Sequence, residues 1–223
     1  MDFFSINNVV FSLFGYSVCY LELLAIVAGI TCVWLASKEK PINFVFGFIS
    51  FFSLFCIFYQ LNLYSSAILQ ACFMCFSFYG LYSWTRPKKG EENAKQQQKI
   101  RTFSVRQRIL GVAIIVSVAF AWGTIMAYYT QYLPSWFSSG YASPLRAYVD
   151  AFILVGALTA QYLMARKNIE CWMVYLCTDT TGMILYASSG VYFTALLSCI
   201  YVGLGANGLR RWLKGRKLEN TYL

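Results

Sequence analysis

Apolar residues fall into seven blocks along this chain, each near the ~20 residues a helix needs to cross a bilayer, with short polar clusters between them. The blocks predict helices over Leu21–Ser37, Ile42–Phe58, Ser66–Trp84, Ile109–Tyr132, Ala147–Ala165, Cys171–Ser188 and Tyr192–Leu209. Most of them stop at a basic cluster: Lys38-Glu39-Lys40, Arg86-Pro87-Lys88-Lys89, Arg166-Lys167 and Arg210-Arg211. The loop Tyr59–Ser65 follows the second block, and a loop with Pro134 and Pro144 follows the fourth. Residues 86–108 form a long hydrophilic stretch, with Glu91, Glu92 and three glutamines at 96–98. Its polarity predicts a flexible linker or loose helix. Residues 1–18 have neither a basic start nor a small-residue cleavage motif, so an amphipathic segment at the membrane surface is expected there rather than a signal peptide.

Composition agrees with the pattern. Hydrophobic residues make up 59% of the 223 and charged ones 12%, with a mean hydropathy of +0.55. This is the profile of an all-α polytopic membrane protein. The net charge of +9 would suit nucleic acid, but the basic residues cluster between apolar runs, where they act as topology signals. With seven spans, 17 of the 18 Lys and Arg fall on one side and only Arg146 on the other. That bias predicts an outside N-terminus and a cytoplasmic C-terminus. There is no histidine, and Cys72-Phe-Met-Cys75 is a single pair without the second pair a zinc site needs. No metal, cofactor or nucleic acid is expected.

The chain also matches itself at an offset of 128 residues, aligning 20–84 with 148–212 without a gap. Identities include Tyr20/Tyr148, Val27/Val155, Thr31/Thr159, Leu35/Leu163, Tyr64/Tyr192, Ala67/Ala195, Gly80/Gly208, Leu81/Leu209 and Trp84/Trp212. Glu22 aligns with Asp150 and Lys38 with Arg166, and both halves end Gly-Leu-x-x-Trp. Three spans per unit is an odd number, so a second copy in the same orientation requires one extra span between them. The expected plan is a 3+1+3 parallel repeat: segment 1–20 at the interface, a three-helix bundle over 21–84, linker, linking helix and outer loop over 85–146, a second bundle over 147–212, and a basic tail over 213–223. Parallel repeats occur in transporters, SWEETs among them, which hold substrate near the midplane between the halves.

The stretch 170–182 carries Asp179 inside an apolar run, and an ionisable group there marks a functional site by default. Trp172, Tyr175 and Asp179 stand at i, i+3 and i+7, on one helix face. Tyr186 follows on the same span, and Ser198 and Asn207 lie on the seventh. The first half offers Asn43, Gln60 and Gln70, with Gln70 aligned to Ser198 and Asn43 to Cys171. Rings, amides and one carboxylate suit a neutral or cationic ligand with a flat ring and hydroxyls. Plainer roles compete: Asn43 and Asn207 as caps, Gln60 at the outer surface, Trp84 and Trp212 as interfacial anchors, and Glu170 as a surface partner of Arg166 and Lys167.

Leu35-Ala-Ser-Lys-Glu-Lys40, Gln60-Leu-Asn-Leu-Tyr64, Tyr79-Gly-Leu-Tyr-Ser-Trp84, Arg166-Lys-Asn-Ile-Glu-Cys-Trp172 and Asn207-Gly208 together resemble the PnuC family of bacterial nicotinamide riboside transporters over nearly the whole chain. The resemblance implies a SWEET-like fold in a bacterial inner membrane. It also implies uptake of nicotinamide riboside, an NAD precursor, by facilitated diffusion, with a cytoplasmic riboside kinase trapping the product. It implies a transporter rather than an enzyme, and it leaves assembly as a homo-oligomer open. Against the family's sixth-span Trp-x-x-Trp pattern, Trp172 matches the first aromatic, Tyr175 replaces the second, and Asp179 stands where Asn is frequent. Sister families carry thiamine, riboflavin or deoxynucleosides on the same architecture, so these substrates, and proton coupling through Asp179, stay open as alternatives.

Overall fold

The computed structural model describes residues 8–13, 16–61, 64–86, 98–128 and 143–221. Among these, seven helices follow a short hairpin: β1 (Val9–Leu13), β2 (Tyr16–Cys19), α1 (Tyr20–Ser37), α2 (Asn43–Gln60), α3 (Tyr64–Thr85), α4 (Val105–Tyr128), α5 (Pro144–Ala165), α6 (Glu170–Ser188) and α7 (Tyr192–Thr221). All but α6 are long and apolar enough to cross a membrane. Helix α6 is diluted by Glu170, Asp179 and threonines 178, 180 and 181.

Several boundaries differ from the hydropathy reading for local reasons. Within the segment expected at the membrane surface, the described residues form an antiparallel β1–β2 pair leading straight into α1. Helix α4 begins four residues early because Ser104 and Gln107 form a reciprocal cap: Ser104 N–H donates to Gln107 Oε1 at 2.9 Å, and Gln107 N–H to Ser104 Oγ at 3.4 Å. Helix α5 begins at Pro144 behind the Ser143 cap, proline at the first helical position costing nothing. Helix α7 does not end at the basic residues but continues to Thr221, so the expected tail is largely helical. The rest of the linker (87–97) and most of the outer loop (129–142) lie outside the described residues.

The internal repeat is written into the backbone. At the end of α1, Glu39 N–H donates to Ala36 O and Lys40 N–H to Leu35 O. At the end of α5, Lys167 N–H donates to Met164 O and Asn168 N–H to Leu163 O. Each pair of bonds is the six-to-one and five-to-two closure of a Schellman turn. Both are shifted by 128, and both turn on a non-glycine residue in the left-handed region, Glu39 at φ 57° and Lys167 at φ 54°.

Packing repeats as well. Helix α1 packs on α2 and α2 on α3, while α5 packs on α6 and α6 on α7. The triplets meet through α1 on α7 and α3 on α5, contacts that the offset exchanges, and α4 lies against α5. At their junction Trp84 Nε1 donates to Met164 O at 3.0 Å, and Trp212 Nε1 to Ala36 O at 3.1 Å. Ala36 and Met164 are themselves repeat partners, so each half gives an indole N–H to the other half's helix end. Phe44 meets Trp84 edge-on at 5.0 Å, and its partner Trp172 meets Trp212 edge-on at 5.5 Å, both at 88°. Trp84 and Trp212 touch at 5.7 Å. The expectation that these two are interfacial anchors is corrected: both are 0% exposed and form the centre of the core.

Two glycines make this crossing possible. A Cβ on Gly80 would overlap the Phe44 ring, and one on its partner Gly208 would come within 2.6 Å of Trp172. Alanine at 208 therefore overpacks a fixed ring and should cost about 1–3 kcal/mol. Gly203 has open space around it, so Gly203→Ala should change stability by less than about 0.5 kcal/mol. Thermal unfolding of the two purified variants in one detergent checks the contrast.

Candidate functional site

A cavity of about 310 Å³ lies between the two triplets, at the lower end of the ~300–1,000 Å³ typical of small-molecule sites. Its lining includes residues from both halves at repeat-equivalent positions: Gly29 and Ala157, Val33 and Gln161, Phe44 and Trp172, Gly47 and Tyr175, Phe51 and Asp179, Phe73 and Tyr201. Matched positions hold unmatched chemistry. The first half contributes mostly hydrogen, methyl and phenyl groups, and the second an amide, an indole, two phenols and a carboxylate. At these matched positions the first half is apolar and the second polar, while Asn43, Ser50 and Gln70 add polar groups from the first half.

The aromatic cluster forms the end where α1 and α5 terminate, since Ala36, Met164, Phe44 and Trp172 both line the cavity and belong to it. Beneath it Lys167, 0% exposed, pairs with Glu39 at 2.9 Å across the two turns, its Nζ 5.0 Å from the Trp84 ring centre. In the second half Tyr175 Oη donates to Gln161 Oε1 at 2.5 Å, which fixes the phenol. Ser50 Oγ donates to Ala25 O at 2.8 Å and is already spent on α1. Tyr201 reaches from α7 to α1, where a Cβ on Gly29 would stand 2.5 Å from its hydroxyl.

Two residues of the lining carry a buried polar atom without a partner among the described residues: Trp172 at Nε1 and Gln70 at Oε1. A buried unpaired donor or acceptor costs about 1–3 kcal/mol. One donor and one acceptor of this kind thus belong to residues of a single cavity lining. Asp179 has no ion pair and no hydrogen-bond donor among the described residues.

Relatives bear on what such a cavity is for. The family model described as nicotinamide mononucleotide transporter matches residues 19–214. The chain belongs to that family. It is 28% identical over 97% of its length, and 96% of the relative's, to the nicotinamide riboside transporter PnuC of Escherichia coli K12. It is 27% identical over 98% of its length, and 96% of the relative's, to the riboflavin/roseoflavin transporter RibM of Streptomyces davaonensis. The crystal structure of the vitamin B3 transporter PnuC shares its fold, with a TM-score of 0.64 and 24% identity over 90% of this chain and 83% of that one.

Of the candidates named from sequence, Asn43, Gln70, Trp172, Tyr175 and Asp179 line the cavity of this transporter. Asn43 also closes its own turn, its Nδ2 donating to Lys40 O at 2.7 Å. Gln60 and Asn207 do not line it: both are exposed, Gln60 donating to Cys56 O and Asn207 accepting from Arg211. Ser198 and Tyr186 pack near Gly182, off the cavity. Gln161 and Tyr201 line it and are not among the candidates. A signal for Gln161 does exist, an amide inside an apolar run, which a membrane helix does not carry without a partner or a use.

Glu170 is the other correction. It is buried rather than a surface partner of Arg166 and Lys167. Its Oε1 accepts from Thr102 Oγ1 at 2.7 Å, Phe103 N–H at 2.9 Å and Arg108 Nε at 3.1 Å. Together with the backbone bridge between Arg101 and Asn168, it straps residues 98–104 across the α5–α6 turn. Glu170→Ala removes all three bonds. Hydrogen exchange at the Phe103 amide should then accelerate at least about tenfold, measured by exchange mass spectrometry on peptides covering 98–108.

Proposed function

We propose that this chain carries nicotinamide riboside across a bacterial inner membrane by facilitated diffusion, through the cavity between its two triplets. The observation that carries this is the cavity's chemistry: aromatic rings, residues with an unpaired indole N–H and amide oxygen and, among the described residues, one carboxylate and no lysine or arginine in the lining. A ring stacks on Trp172 and ribose hydroxyls meet Gln70, Gln161 and Asn43. The phosphorylated mononucleotide fits less well, because a phosphate at pH 7 brings close to two negative charges into a site that offers a carboxylate and no cation. The relatives named for nicotinamide riboside support that substrate; the tricyclic ring of riboflavin is large for so small a space.

In this reading the triplets are the two units of a 3+1+3 parallel repeat, with α4 as the linking helix and α6 as a seventh span whose polar face is turned to the cavity. Lys and Arg place the C-terminus in the cytoplasm and the N-terminus outside. A carrier without an energy source only equilibrates its substrate, so net uptake draws on a cytoplasmic riboside kinase that converts the product into a charged nucleotide. We read the protein as a carrier and not an enzyme: Asp179 has no second carboxylate beside it in the cavity with which to share acid and base roles.

Proteoliposomes containing the purified protein should take up labelled nicotinamide riboside with saturation and exclude the labelled mononucleotide. Removing the stacking surface with Trp172→Ala should lower uptake at subsaturating substrate about tenfold or more. Equal flux of riboside and mononucleotide, or flux indifferent to Trp172→Ala, would contradict the assignment.

A further inference from the structure

We propose that Asp179 is the charge selector of this transporter, its carboxylate discriminating a cationic ring from a neutral one of the same shape. The inference rests on the cavity being the nicotinamide riboside site, and it assigns to one residue a preference which that reading leaves undistributed among stacking, hydroxyl contacts and charge.

The repeat sets the surroundings of this carboxylate. Asp179 occupies the position of Phe51 in the other half, and both line the cavity. Phe51 in turn rests on Phe73 at 5.0 Å between ring centres. The carboxylate's repeat partner in that lining is thus an aromatic ring and not a second polar group. No described residue compensates it. Two cations at the same junction are committed elsewhere, Lys167 to Glu39 at 2.9 Å and Arg108 to Glu170 at 3.1 Å, and neither lines the cavity. Tyr175, one helical turn away on the same face, already donates its hydroxyl to Gln161.

An unpaired carboxylate in a site of low dielectric favours whatever brings a positive charge. Aromatic rings in the same lining act in the same direction, since the ring quadrupole attracts cations. A pyridinium held in this cavity would gain from the carboxylate and the aromatic rings together, while a neutral benzene ring of equal size would gain only the stacking. Shape and hydroxyl contacts would treat the two ligands alike, so charge alone would separate them.

Nicotinamide riboside and benzamide riboside supply that comparison, because the second replaces the charged ring nitrogen with carbon and keeps the outline. Binding of each to the full-length protein in nanodiscs, at one pH and one salt concentration, is read by calorimetry. The expected result is a preference of roughly tenfold or more for the cation in the unaltered protein, falling to about threefold or less in Asp179→Asn and retained in Asp179→Glu. The glutamate variant also serves where the asparagine variant does not fold, since a preference kept by Glu and lost by Asp179→Ser carries the same information. Equal binding of the two ribosides by the unaltered protein overturns the selector while leaving the riboside site standing. A cation preference that survives Asp179→Asn also overturns it. Binding of neither riboside overturns the substrate reading and the selector with it.

Discussion

Two reciprocal hydrogen bonds hold this molecule's halves in register. An indole N–H needs an acceptor when buried, and a carbonyl that closes a helix-end turn has a second lone pair to offer. Trp84 and Trp212 use it, each reaching out of its own triplet to Met164 O or Ala36 O at the end of the other's first helix. Because donors and acceptors are both related by the 128-residue offset, neither half can shift without losing one bond and straining the other. The glycines at 80 and 208 belong to the same arrangement, since only a missing Cβ lets Phe44 and Trp172 lie where the tryptophans need an edge to pack against.

The cavity follows from that junction. Two helix triplets, meeting at a plug of tryptophans, leave space along the line between them, and many of the side chains around it stand at positions 128 residues apart. Function then depends on how the pairs have diverged. Val33 against Gln161, Gly47 against Tyr175 and Phe51 against Asp179 make matched positions chemically unequal, and Asn43, Ser50 and Gln70 are polar groups that the first half adds elsewhere in the lining. The strap at 98–104, held by Glu170 and filling the core with Ile100, ties the linker to the same junction, so the plug, the turns and the linker form one packed end.

Helix number and approximate limits are legible in apolar runs of bilayer length. The Trp172, Tyr175 and Asp179 face is legible in helical spacing, within a stretch where a carboxylate is costly. Paired punctuation reveals the repeat more than identities do. What escapes has physical causes. A tryptophan at the end of an apolar run has two good homes, the headgroup layer or a buried acceptor, and composition does not separate them; Trp84 and Trp212 take the second. Glu170 sits beside two cations in sequence but finds its donors at Thr102, Phe103 and Arg108, more than sixty residues earlier. Gln60 and Asn207 are polar residues near span ends whose direction around the helix decides everything, and both point away from the cavity's lining.

If one ligand sits on the line between the halves, bounded by equivalent positions that have diverged in chemistry, a crystal or cryo-EM map with nicotinamide riboside bound must show it there. The expected density is one molecule between the Phe51 and Asp179 positions, with its ring against Trp172 and a polar group within hydrogen-bonding distance of Gln70 Oε1. Density lying within a single triplet, or on the protein's exposed surface near Gln60 or near Asn207 with the central cavity empty, would contradict it.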